Sequence, residues 1–176
     1  MNRRQMGIIT GMSLVGLAAG LITASWIYRD GTASEESVAA LLANPWTKPD
    51  NTVVNTAEWQ NRVLVVNFWA SWCPPCVEEM PALSDLQDEF ASKNVLFVGI
   101  GIDTPSNIRQ FLETTLVSYP IVMGGLQGSK IGKALGNTQG ALPYTVIINA
   151  KGKVTNTKLG KINEDELRKQ IKAAIK

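Results

Sequence analysis

The chain has no histidine and only two cysteines among its 176 residues. These two shortages close several routes. A structural zinc site takes four ligands, as a rule Cys and His, so here two of the four would have to be carboxylates or come from another chain. Covalent haem attachment needs His directly after a C-x-x-C pair, and Val77 stands there instead. Without imidazole, acid–base work falls to carboxylates. Charge of one sign is also lacking. The chain has 17 basic and 15 acidic residues, and residues 31–176 balance at 14 of each. That leaves no basic patch of the kind that nucleic-acid binding requires, and the scattered lysines of residues 130–176 read as a solvated face. Gly99-Ile100-Gly101 lacks the third glycine of a dinucleotide fingerprint, and Gly128 to Lys133 does not fit a phosphate-binding loop. No repeat or low-complexity tract is evident.

The two cysteines that are present stand together. Ser71-Trp72-Cys73-Pro74-Pro75-Cys76-Val77 follows the apolar run Val63-Leu64-Val65-Val66-Asn67-Phe68-Trp69. A C-x-x-C at the end of a strand and the start of a helix reads as a dithiol/disulfide redox centre. The bland alternative is a pair of inert buried thiols behaving as small hydrophobes. The placement of Cys73 at a helix start, where chain ends are exposed, argues against it.

Proline is tolerated in the first helical turn, so Pro74 and Pro75 predict a helix over 74–90 with Cys73 as its cap. The positive end of a helix and its unsatisfied N–H groups favour thiolate, the attacking species. Cys73 is therefore the expected nucleophile and Cys76, one turn inside, the resolving thiol. Neither proline carries an N–H, so two donors to the Cys73 sulfur are missing and its thiolate is less stabilised. That predicts a lower reduction potential and hence a reductant.

Two glutamates follow. At 100° per residue Glu78 points about 200° from Cys76, whereas Glu79 lies about 60° away, beside the stripe Cys76, Met80, Leu83, Phe90. An i,i+3 neighbour can approach the resolving sulfur. If partly buried, Glu79 has a raised pKa and can take and return the Cys76 proton; spacing alone serves equally well for a glutamate reaching out to water. Glu78 shares its side with Asp85 and Glu89, a solvated face. Asn67 takes an inward position on the strand, where an amide needs partners and can orient groups near Cys76.

Arg3 and Arg4 precede 23 uncharged, mostly apolar residues, Met6 to Tyr28. As a helix this run is about 35 Å long, enough for a bilayer core of about 30 Å. Basic residues ahead of the span keep the N-terminus cytoplasmic, so the rest is expected to be exported. Trp26 and Tyr28 suit the membrane interface. Cleavage at Ala18-Ala19-Gly20 is the rival reading. No cysteine lies near the span, which excludes a lipid-modified N-terminus. The expected organisation is a membrane anchor over 1–29, a linker over 30–44 and one domain over 45–176, enough chain for one core.

Strands are expected at 62–68, 95–101, 119–123, 144–149 and 153–159, and helices at 74–90, 105–115, 129–135 and 164–175. This alternation describes an α/β sheet with covering helices. Asn149-Ala150-Lys151-Gly152-Lys153 reads as a hairpin turn, making the last strand pair antiparallel. Asn163 and Glu166 resemble a capping box, ahead of an apolar stripe of Leu167, Ile171 and Ile175.

The segment Val65-Val66-Asn67-Phe68-Trp69-Ala70-Ser71-Trp72-Cys73-Pro74-Pro75-Cys76, continuing to Glu79 and Pro81, together with Gly140-Ala141-Leu142-Pro143-Tyr144-Thr145, resembles the thioredoxin superfamily, in particular its membrane-tethered TlpA/ResA-like thiol–disulfide oxidoreductases. The resemblance covers roughly residues 40–176. It implies a thioredoxin-like fold, a central mixed sheet flanked by helices, with an inserted strand–helix in residues 116–140. It makes Pro143 a cis-proline against the active-site disulfide, although a proline entering a strand is by itself an ordinary strand start. It has Leu142 offering its backbone to a bound peptide beside Trp72, Pro74 and Pro75. It favours the proton-carrying role for Glu79 and marks Pro81 as a helix kink. Asn67 departs from the buried aspartate of thioredoxin itself and resembles the ResA-like branch.

The implied activity needs no bound cofactor and no metal. Its partners are client proteins with disulfides and a transmembrane thiol electron donor, at the bacterial inner membrane with the catalytic domain on the periplasmic or outer side. Gly140-Ala141-Leu142 lacks the Gly-Val-x-Gly-type segment common in the branch dedicated to cytochrome c maturation, so that role is left open without support. A peroxidase reading fails, because the Pro-x-x-x-Thr/Ser-x-x-Cys loop is absent. The rivals are a disulfide oxidase or isomerase on the same fold, and a non-catalytic tethered binding or chaperone module.

Overall fold

The computed structural model describes residues 35–176. The Met6–Tyr28 run and the small residues Ala18-Ala19-Gly20 lie outside the described residues. Among those described, no helix is long and apolar enough to cross a membrane.

Five strands form one sheet in the order β3-β2-β1-β4-β5. β1 (Val63–Trp69) is central, parallel to β2 (Val95–Gly101) and antiparallel to β4 (Tyr144–Ile148). β3 (Ile121–Met123) runs parallel to β2, and β5 (Val154–Leu159) antiparallel to β4. All seven residues of β1 are buried, as suits a strand covered on both faces. Side chains alternate along it. Val63, Val65 and Trp69 join one core cluster with residues of α2 (Pro74–Phe90) and α5 (Glu164–Ala174), and with Ile108 of α3 (Pro105–Thr114). Leu64, Val66 and Phe68 join the other, with residues of α1 (Glu35–Ala43) and α4 (Gly125–Ala134). The sheet is thus mixed and carries helices on both faces, as expected.

The differences from expectation have local causes. Residues 35–43, read as part of a linker, form α1, and its Val38 and Leu41 are buried. The Trp46 indole N–H donates to the Leu41 carbonyl at 2.9 Å and ties the end of α1 to the domain. β3 begins two residues late because Pro120 has no N–H to give a ladder; its carbonyl still accepts from Gly99 N–H. α4 begins four residues earlier than expected, at Gly125. Gly128 and Gly132 lie within it because a Cβ there would stand 2.9 Å from Ile100 Cγ2 and 3.3 Å from Phe68 Cδ1 respectively.

The hairpin after β4 forms as expected. Asn149 Oδ1 accepts from the N–H of Lys151 and Lys153, and Gly152 takes φ +75°. Asn163 caps α5 by accepting from Glu166 N–H at 3.0 Å. The return half of the capping box is missing among the described residues, and the Glu166 carboxylate accepts from Gln170 instead. Leu167 and Ile171 are buried, but Ile175 is exposed because it lies beyond the last turn of α5.

Candidate active site

β1 delivers the chain to the start of α2, and the four residues between them are tightly held. Cys73 N–H donates to the Ala70 carbonyl at 3.2 Å. Asp103, just after β2, accepts from both the N–H and the hydroxyl of Ser71, and also from Asn107 and Thr104 N–H. Burial raises the Asp103 pKa, but these hydrogen bonds outweigh it and hold the carboxyl below its ordinary value. Cys73 caps α2 in an extended conformation (φ −101°, ψ 98°), with Pro74 and Pro75 following. Cys76 and Val77 N–H both donate to the Cys73 carbonyl, at 3.0 and 3.2 Å.

Cys73 and Cys76 are joined in a disulfide with a Cα–Cα separation of 5.3 Å. Cys76 is fully buried, as expected of an inner thiol, but Cys73 is only 5% exposed. The expected exposure of Cys73 is therefore corrected. Joined to Cys76, it packs into the cluster that includes Met80 and, at its border, Leu142. The exposed part of the motif is its rim, with Trp72 65% exposed and Pro74 beside it. α2 continues past Pro81 without a break to Phe90.

Of the two readings of Glu79, the structure has the buried one, with the residue 1% exposed. Oε1 accepts from Asn67 Nδ2 at 2.7 Å, and Oε2 accepts from the backbone N–H of Ile162 at 2.9 Å. Desolvation raises its pKa, opposed by these two hydrogen bonds and by the charge of Lys161. Glu78 points outward, as expected, and meets Lys161 Nζ at 2.7 Å. The two successive residues Lys161 and Ile162 thus hold the two successive glutamates. Asn67 is buried and also donates to Thr145 Oγ1 at 3.1 Å, across the β1–β4 ladder in which the two residues are register partners.

The Leu142–Pro143 peptide is cis. Phe68 pairs with Tyr144, which puts Pro143 at the level where β1 leaves the sheet for the cysteine motif. The Pro143 carbonyl accepts from Gly160 N–H at 2.8 Å, and Asn137 Nδ2 holds the Ala141 carbonyl at 2.9 Å. Sequence reasoning missed Ser71, Asp103, Thr145 and Ile162 as parts of this site. Asp103 and Ile162 are far away in sequence, and Ile162 acts only through its backbone, so no side-chain pattern could reveal it.

A C-x-x-C disulfide capping the helix after the central strand of such a sheet, with a cis-proline at the start of the neighbouring strand β4, defines a thioredoxin-like thiol–disulfide oxidoreductase. The chain belongs to the Redoxin family, whose model matches residues 38–175. It is similar to the thiol–disulfide oxidoreductase ResA of Oceanobacillus iheyensis, at 27% identity over 143 residues, 80% of this chain and 70% of that one. Among solved structures it resembles a thioredoxin-related protein of Neisseria meningitidis serogroup B at 39% identity and TM-score 0.65, covering 73% of this chain and 97% of that one. It also resembles a thiol:disulfide interchange protein of the thioredoxin family from Chlorobium tepidum at 26% identity and TM-score 0.64, covering 75% and 94%. The chain is an enzyme of the ResA-like, thioredoxin-superfamily type.

Proposed function

We propose that this enzyme is an exported, membrane-tethered reductase of protein disulfides. The observation that carries the reading is the Cys73–Cys76 pair at the tip of α2 with the buried Glu79 carboxyl one turn inside. In the reduced protein, the Cys73 thiolate attacks one sulfur of a client disulfide. The client S–S bond breaks, a mixed disulfide forms through Cys73, and the first client sulfur leaves as thiolate and takes a proton from water. Glu79 then accepts the Cys76 proton, and the Cys76 thiolate attacks Cys73 Sγ. The mixed disulfide breaks, the second client sulfur leaves, and Glu79 returns the proton to it. Two electrons have passed to the client, and the Cys73–Cys76 bond has formed.

Several features support reduction as the physiological direction. Pro74 and Pro75 withhold two N–H donors from the Cys73 sulfur, which leaves its thiolate under-stabilised and the couple reducing. Trp72 and Pro74 form an exposed rim, and Leu142 beside Pro143 supplies backbone for a client segment in the extended form such sites take. The β3–α4 segment is read as the strand–helix inserted in this branch. Tethering rests on the Met6–Tyr28 run behind Arg3-Arg4, and the same run supports a reading with the domain outside the cytoplasm of a bacterial cell. Resupply of electrons then falls to a transmembrane thiol donor. Cytochrome c maturation is one route open to such a reductase, with an exported C-x-x-C-H apoprotein as client.

The test is catalytic turnover of insulin disulfides with dithiothreitol as donor, wild type against Cys73→Ser. Turnover by wild type alone supports the reading, and equal rates reject it. A non-catalytic module would keep its cellular function when both cysteines are replaced by serine; a reductase loses it.

A further inference from the structure

The end of α4 leads into the start of β4 through residues 135–141, and one buried side chain pins that turn. Asn137 is 6% exposed, whereas Gly136 before it and every residue from Thr138 to Ala141 are exposed. Its N–H donates to the Gly132 carbonyl at 3.0 Å, and its carbonyl accepts from Gly140 N–H at 2.9 Å. Its side-chain Nδ2 donates to the Ala141 carbonyl at 2.9 Å. The Tyr144 hydroxyl closes the turn on the Leu135 carbonyl at 3.0 Å. Gly136 leaves room for it, since a Cβ there would stand 2.8 Å from Tyr144 Oη.

Packing alone does not call for an amide at this position. Asn137 Oδ1 is buried without a partner among the described residues, a cost that an apolar side chain would not carry. The carbonyl that Nδ2 holds belongs to the exposed Ala141, where water can serve as its partner. What the bond adds is direction. The Ala141–Leu142 peptide is trans and planar, so holding its carbonyl aims the Leu142 N–H away from Asn137. On the other side, Gly160 N–H holds the Pro143 carbonyl at 2.8 Å. Between these two held groups, the N–H and C=O of Leu142 have no partner among the described residues. One residue that exchanges both bonds with a partner residue is the hydrogen-bonded pair of an antiparallel ladder, and an extended peptide binds by supplying that partner.

We propose that Asn137 is a positioning residue for client recognition: by holding the Ala141 carbonyl it aims the Leu142 N–H, so that a client segment pairs with both backbone groups of Leu142 while its disulfide reaches Cys73. Asn137 acts through Leu142 and takes no part in exchange at sulfur. A disulfide carried on a peptide backbone uses the pairing, and a small disulfide without one does not. The inference rests on the reductase reading, because it gives Leu142 the client contact assigned there.

The test mixes the reduced full chain, in detergent, with insulin or with dithiobis(nitrobenzoate), a small disulfide that has no peptide backbone. Stopped-flow measurement gives the rate constant for each. Asn137→Ala removes the amide, and Asn137→Asp keeps its shape while putting an acceptor where the donor stood. In both variants the ratio of the insulin rate to the small-disulfide rate is expected to fall about tenfold, the size of one lost or misdirected hydrogen bond. A ratio unchanged from wild type, including one in which both rates fall together, overturns the proposal. A second measurement does not depend on turnover. The 15N order parameter of the Leu142 N–H is expected at about 0.85 in the wild type and below about 0.6 in Asn137→Ala. No loss of order overturns the proposal whatever the rates. Insulin left unreduced by the wild type would instead remove the reductase reading, and the order of the Leu142 N–H then decides the positioning claim by itself.

Discussion

Asn67 Nδ2 donates to Glu79 Oε1 at 2.7 Å, joining the central strand to the helix that bears the cysteines, and both residues are only 1% exposed. The buried carboxyl is thereby fixed in place by a group that can orient it but cannot exchange protons with it. Asn67→Leu removes the donor while keeping the volume similar. The expected result is a loss of about 1–3 kcal/mol of stability, because a buried acceptor is left unmet. Equilibrium urea unfolding of the oxidised protein measures it.

Glu79→Gln keeps the shape of the side chain and its acceptor for Ile162 N–H, but it cannot take a proton. Loss of a positioned acid–base group costs about 10²-fold or more. The second step, attack of Cys76 on the mixed disulfide, is expected to slow by that amount near neutral pH, while the attack by Cys73 is little changed. Stopped-flow single turnover with a chromogenic disulfide separates the two steps.

The raised pKa of Glu79 also couples stability to pH. The folded state holds this proton more tightly than the unfolded chain, so folding is favoured where the carboxyl is protonated. The contribution is fully present below the ordinary glutamate pKa and is lost as pH rises through the folded value. Relative to Glu79→Gln, the wild type is therefore expected to weaken progressively as pH rises through that window. Thermal melts of both proteins, in the oxidised state so that neither cysteine titrates, measure the difference.

Cys76→Ser leaves the attacking sulfur without its resolving partner. In cells it is expected to accumulate mixed disulfides through Cys73, recovered in the membrane fraction and resistant to carbonate extraction. Mass spectrometry names the clients. Recovery of the adducts from the cytosol would refute both the tether and the export.

The site was largely legible where chemistry is local in sequence. Pro74 and Pro75 mark the start of α2, and a period of 100° per residue sets Glu79 beside the Cys76 stripe and Glu78 on the solvated face, although that spacing left the burial of Glu79 itself open. The cis-proline at Pro143 could be named only by resemblance, because a proline at a strand start has no local signal of its isomer. The half of the carboxyl clamp made by Ile162 was invisible, since any residue presents the same N–H. The exposure of Cys73 was misjudged because a helix tip is exposed in isolation, whereas here the sulfur is turned inward by its bond to Cys76. α1 was hidden by its polar entry, Glu35-Glu36-Ser37. Its own signal was the spacing of Val38, Leu41 and Leu42, an apolar stripe too short to stand out beside a linker-like stretch.

The most direct test of the account is the midpoint potential of the Cys73–Cys76 couple, measured by equilibration with a dithiothreitol or glutathione couple. A reductant with two N–H donors withheld from its attacking sulfur is predicted to lie near the thioredoxin value of about −270 mV. A potential above about −180 mV, the level of protein disulfide isomerase, would contradict it and make the enzyme an oxidant or isomerase.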